Sequence, residues 1–147
     1  MTGPVTSPCV GVCSTSVGDT VCRGCQRHLA EIRDWPGYDE AQRAGRMYEL
    51  DALRERVAVE FLRVTDAARL ESQLQRHRIR YRADQPALSR AVELLRVGRR
   101  HIQELSRYGL AAVGEGAELS CERLHEHIML RLLQAAEHRR LSVDDQQ

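Results

Sequence analysis

A chain of 147 residues with a formal charge of +1 is long enough for one compact domain carrying a small metal module, but not for two full domains. The near-zero charge excludes a polybasic binding protein and an acidic tail, and no apolar run approaches the roughly 18 residues that cross a bilayer. Residues 1–8 have no charged stretch leading into an apolar core, so no secretory signal is expected and a reducing cytoplasm is, where clustered cysteines bind metal or do redox chemistry in preference to forming disulfides.

The expected fold is an α-rich α+β arrangement in three parts. Residues 1–37 form a four-cysteine metal knuckle, residues 38–141 an α-rich domain, and residues 142–147 a flexible tail. Within the knuckle, Cys25 opens a short helix from Gln26 to Asp34, and Leu29, Ile32 and Trp35 give that helix an apolar side. Pro36-Gly37 is a turn signal. Residues 39–57 read as a helix capped by Asp39, with Gln42 as its capping-box partner and Met47, Leu50, Leu53 and Val57 recurring at helical spacing.

The segment from Val57 to Val64 is rich in β-branched and aromatic residues and reads as a strand. Thr65 or Asp66 then caps a helix through about Arg76. The run Arg78-Ile79-Arg80-Tyr81-Arg82 alternates strictly and reads as a second strand, closing a small strand–helix–strand unit. Leu88, Val92, Leu95, Ile102 and Leu105 mark one amphipathic helix ending near Gly109; Leu124, Ile128, Leu132 and Ala135 mark another. Two such helices are expected to form a C-terminal antiparallel hairpin, followed from Ser142 by a polar tail.

The cysteines carry the chemistry. Their spacing, Cys9-x3-Cys13-x8-Cys22-x2-Cys25, gives two close pairs that a short loop can gather around one centre. Thiolates suit both zinc, at about 2.3 Å, and iron–sulfur clusters. Gly11 and Gly24, one within each pair, let the backbone bend tightly enough to aim amide N–H groups at sulfur, and Gly18-Asp19 supplies the turn between the pairs. A thioredoxin-like reading of Cys22-x-x-Cys25 fails on context, since no strand precedes it.

Ser7-Pro8-Cys9-Val-Gly-Val-Cys13, then Val21-Cys22-Arg-Gly-Cys25-Gln-Arg27, Glu31-Ile32 and Trp35, resemble the bacterial family called domain of unknown function 1289, whose members often bear the label of iron–sulfur proteins. The resemblance covers about residues 7–57. It implies four ligands at Cys9, Cys13, Cys22 and Cys25, and no activity. The spacing matches neither ferredoxin pattern, and structural zinc sites with four cysteines tolerate many spacings. Zinc is therefore preferred narrowly to a cluster.

Other signals are weaker. His28 is a substitute ligand at best, and an exposed helix histidine is the blander reading. Cys121, His125 and His127 offer an incomplete second cluster, with Cys121 as readily a small core residue. Across the Arg76–Arg82 run, Arg78, Arg80 and Arg82 are the candidate phosphate contacts; an exposed strand face that discourages edge pairing is the preferred alternative. All 22 basic residues are arginine, with no lysine or asparagine in the chain, as a GC-rich coding sequence produces, so arginine abundance is weak support for nucleic-acid binding. No phosphate-cradling loop, metalloprotease helix or nucleophile elbow occurs. The expected function is a small cytoplasmic metal-binding accessory protein acting through a protein partner. An iron–sulfur redox or sensor protein is the alternative, and a nucleic-acid binder ranks third.

Overall fold

The computed structural model describes residues 21–22 and 25–144. It contains five α-helices among these residues: α1 (Leu29–Asp34), α2 (Glu40–Ala58), α3 (Ala67–Arg76), α4 (Ala87–Gly98) and α5 (Cys121–Asp144). One two-stranded sheet pairs β1 (Leu62–Val64) with β2 (Leu110–Ala112). The described chain divides into two compact units, one spanning residues 54–128 and the other combining residues up to 53 with those from 129 onward. The boundaries fall inside α2 and α5.

In the unit that holds the cysteines, α2 starts where its sequence signal lies. Asp39 Oδ1 accepts from the Gln42 N–H at 2.7 Å, and the Asp39 N–H donates to Gln42 Oε1 at 2.9 Å. This reciprocal box satisfies two of the donors a helix start leaves orphaned. Met47 and Leu50 then pack with Trp35, and half-buried Tyr38 closes that cluster edge-on to the Trp35 ring.

In the other unit, α2 ends at Ala58, so the strand expected over Val57–Val64 is only its last three residues. The helical face through Val57 (7% exposed) and Ala58 (fully buried) outweighs the β propensity of Val57-Ala58-Val59, because packing decides what propensity only biases. The Glu60 and Phe61 N–H groups donate back three residues, to Val57 and Ala58 carbonyls, and tighten the exit. Asp66 caps α3 as expected, its carboxylate accepting from the Arg69 N–H at 3.0 Å.

The second strand is not where the alternation placed it. Arg78–Arg82 has no partner strand; α3 instead ends there in a Schellman motif. Arg78 takes the left-handed position (φ +56°), its N–H bonding the Gln75 carbonyl, while the Ile79 N–H reaches the Leu74 carbonyl at 2.8 Å. Ile79 and Leu74, the two positions whose apolar side chains commonly accompany this cap, are both buried. The strand that pairs β1 is Leu110–Ala112, antiparallel, with Leu62 opposite Ala112 and Val64 opposite Leu110.

Gly109 makes that pairing possible. At φ +73° its carbonyl accepts from the Thr65 and Asp66 N–H groups, and a Cβ there would fall 2.1 Å from the Asp66 carbonyl oxygen. The expected C-terminal hairpin is also revised. α4 ends at Gly98, and residues 99–120 hold β2 and two 3₁₀ turns instead of a short loop. Ile102 is buried beyond the helix, and Leu105 sits half-buried in the first of those turns. α3 and β1 both pack on α4, and Ser120 caps α5 through the Arg123 N–H. α5 continues through Ser142 as far as Asp144.

Candidate metal centre

Cys22 and Cys25 lie on one tight turn. An antiparallel bridge between Val21 and His28 frames it. Inside that frame the Cys22 N–H donates to the Arg27 carbonyl and the Gln26 N–H donates to the Cys22 carbonyl, both at 2.8 Å. Gln26 adopts φ +65°, a conformation that is uncommon for a residue with a Cβ and that turns the chain directly after Cys25. Both sulfur-bearing residues are buried, at 3% and 1% exposure. Cys9 and Cys13, like Gly11, Gly18, Asp19 and Gly24, lie outside the described residues, as does the Ser-Pro lead-in.

Cys25 does not open a helix. The left-handed Gln26 breaks that reading, and α1 begins only at Leu29, with His28 as its N-cap. His28 is neither exposed nor helical: it is 5% exposed, and its Nδ1 accepts from the Glu31 N–H at 3.2 Å while its own N–H donates to Glu31 Oε1. Histidine and glutamate thus form a capping box usually built by serine or threonine. Of the apolar side expected for this segment, Trp35 is buried and Ile32 half-buried, but the buried residue of α1 itself is charged. Leu29 is 46% exposed, whereas Glu31 is fully buried.

Burying a carboxylate demands compensation, and Glu31 receives it from two arginines. Arg139 of α5 grips it with both Nη atoms, at 2.7 and 2.5 Å, and Arg46 of α2 adds a bond at 3.1 Å. Arg139 also lies 3.5 Å from Glu49. Burial pushes the Glu31 carboxyl up, but the Arg139 bonds and the charges of Arg139, His28 and Arg46 outweigh it and hold the carboxyl below its usual range. This network was not anticipated from the sequence. Glu31 and Arg139 are 108 residues apart, and no local pattern connects them.

Arg27 is the second residue that sequence reasoning missed. It is 6% exposed. Its Nε–H donates to Cys25 Sγ at 3.2 Å, and its guanidinium carbon lies 5.0 Å from the Trp35 ring centroid, within cation–π range. Burial pushes the Cys25 thiol up; the hydrogen bond and charge of Arg27 pull it down without reversing the shift. Two buried thiols on a turn with a cation bonded to one of them form a donor set suited to a thiolate-bound metal. Among the described residues no three His, Cys, Asp or Glu side chains gather around a point.

The weaker candidates separate. Cys121 and His125 stand one turn apart at the start of α5 in the other unit, and burial pushes the Cys121 thiol up. His125 has a buried Nε2 with no hydrogen-bond partner; burial first, then the charges of Arg99 and Arg96, push it down to about 4. His127 turns instead toward Phe61, with ring centroids 6.5 Å apart. Of the three arginines, Arg78 and Arg80 are exposed, while Arg82 is half-buried with its Nε 3.7 Å from Asp84. Tyr81 donates to Glu71 and lies beneath Arg90, so its ring is committed within the fold.

No helix among the described residues is long and apolar enough to cross a membrane. No curated protein and no solved structure matches the chain. Residues 7–54, about a third of the chain and the segment that contains the cysteine pairs, the Arg27 turn, α1 and most of α2, match the family described as protein of unknown function (DUF1289).

Proposed function

We propose that this chain is a small cytoplasmic metal-binding accessory protein. Cys9, Cys13, Cys22 and Cys25 would hold one centre, zinc ahead of an iron–sulfur cluster, and the surface fixed around it would engage a protein partner. The observation that carries this reading is the turn that buries Cys22 and Cys25 together and directs a cationic N–H at one of the sulfurs. A buried thiol with no ligand gains little from such a donor, whereas a metal thiolate accepts strong charge-assisted bonds. Zinc in such a set is structural and contributes folding free energy. Leu29, Tyr48 and Leu130, exposed at 46%, 76% and 62% in the unit that holds the turn, support a protein partner.

The test is anaerobic purification of the full chain, followed by metal analysis and an absorption spectrum. One zinc per colourless chain supports the structural reading. A brown protein with charge-transfer bands moves the function to electron transfer or redox sensing. The Cys22→Ser/Cys25→Ser double variant should bind no metal, and residues 1–37 should become protease-sensitive while most helical circular dichroism survives. Wild-type protein that takes up neither metal would overturn the proposal.

A further inference from the structure

We infer that Arg27 is a built-in counter-charge for the metal centre, a positioning residue that hydrogen-bonds a ligand sulfur and sets how tightly the thiolates hold metal. This rests on the four-cysteine reading above. A buried guanidinium is costly unless an anion or a full set of acceptors compensates it. Elsewhere in this unit the rule is met with carboxylates, as Arg46 and Arg139 meet it with Glu31. Arg27 is buried where Arg139 is only half-buried, yet among the described residues its side chain meets Cys25 Sγ and the face of Trp35, and no carboxylate pairs with it. A neutral thiol leaves that charge poorly compensated. A thiolate compensates it.

The charge count agrees. Four thiolates around a divalent ion leave a net charge of about −2 on the centre, and one fixed guanidinium halves it. The placement is also directional. Nε, not the terminal nitrogens, bonds the sulfur, so the planar group remains free to lie over Trp35, which holds it in place. Arginine adds to the charge, which lysine would also supply, a rigid plane that both stacks and donates. By lowering the basicity of the sulfur, Arg27 keeps the ligand thiolate from being protonated, and the centre should survive to lower pH with it than without it.

The experiment compares the full-length wild type with Arg27→Gln and Arg27→Lys. Metal content, circular dichroism and acid-induced release are measured, the last from the visible bands of the as-purified centre or of its Co(II)-substituted form. Arg27→Gln should weaken metal retention against a chelator by about 10–100-fold and raise the pH midpoint of release, with helicity unchanged. Arg27→Lys should bring the pH midpoint back toward wild type through its charge. A merely packing role would leave the midpoint unmoved. Equal midpoints and equal retention in wild type and Arg27→Gln overturn the inference, as does an Arg27→Lys midpoint no lower than that of Arg27→Gln. If Arg27→Gln fails to fold, Arg27→Lys against wild type decides: a midpoint near wild type supports the role, and one shifted upward despite the retained charge refutes it. A wild type that binds no metal refutes the underlying four-cysteine reading instead, and the two failures are distinguishable by metal content alone.

Discussion

Replacing Glu31 by Gln removes one negative charge and almost no volume, so its effect isolates the electrostatics of the buried network. The carboxylate accepts two bonds from Arg139, one from Arg46 and one from the His28 backbone. A glutamine amide offers one oxygen, and its NH2 must face guanidinium donors. Breaking a buried pair by removing one partner costs about 3–5 kcal/mol. Arg139 retains half-exposed Glu49 at 3.5 Å, which puts the expected loss near the lower end, about 3 kcal/mol. At roughly 2–4 °C per kcal/mol for a chain of this size, Tm should fall by about 6–12 °C.

Urea unfolding at pH 7 measures the loss directly. The double variant Glu31→Gln/Arg139→Leu should lose less than the sum of the singles by about 0.5–3 kcal/mol, because it leaves no uncompensated cation. The pH dependence has a fixed sign. A carboxyl held below its usual range contributes stability that is fully present above that range and is lost as pH falls through the lowered value. Acid lability below about pH 4.5 should therefore be greater in the wild type than in Glu31→Gln. A loss under about 1 kcal/mol, or strictly additive variants, would refute the claim that Glu31 anchors α1 through ionic pairing.

Three further outcomes are expected. His125, depressed from 6.5 to about 4, takes up its proton more readily when unfolded, so stability should decline as pH falls from 6.5 toward 4; urea midpoints should show a shallower decline in His125→Leu, and equal slopes would count against a buried neutral imidazole. Cys121→Ser should leave metal stoichiometry unchanged, and a loss of half or more of the metal would make Cys121 a ligand. Arg78→Ala/Arg80→Ala/Arg82→Ala should not alter nucleic-acid binding at physiological ionic strength, because none is expected; sub-micromolar, salt-sensitive binding that vanishes in the triple variant would reverse that assignment.

The starts of α2 and α3 were legible because a cap is written in adjacent residues. Asp39 with Gln42 and Asp66 before Ala67 act where they stand in the sequence. The strands were legible only in part: β1 is the end of the segment expected as a strand, while its start and its partner were misplaced, for two different reasons. At Val57–Phe61 a β-rich composition met a helix whose buried face ran on through Ala58, and packing prevailed. At Arg78–Arg82 the alternation was genuine but came from a helix cap, which also buries one residue after an exposed one. β2, in contrast, carries no strand signal in Leu-Ala-Ala. Its pairing depends on Gly109, whose left-handed turn lies against Asp66, far away in sequence.

The same distinction separates the parts of the candidate centre. Cysteine spacing is visible in one dimension, and the sequence sufficed to pick out Cys22 and Cys25 as a pair. What surrounds a ligand is not visible in that way, and two buried ions four residues apart show why. Glu31 and Arg27 carry opposite charges, and both are withdrawn from water, yet they are compensated by opposite strategies. Glu31 is neutralised by protein cations drawn from α2 and α5, so its partners could be found only in three dimensions. Arg27 meets a sulfur and an aromatic face within the segment itself, and the signal Cys25-x-Arg27 followed by Trp35 was present throughout. It went unread because an arginine in a chain of 22 arginines and no lysine carries little information by identity. Its burial beside a thiol, without a carboxylate among the described residues, is what gives it meaning: a Cys25 thiolate, as the proposed centre would require, would supply the charge that a neutral thiol does not.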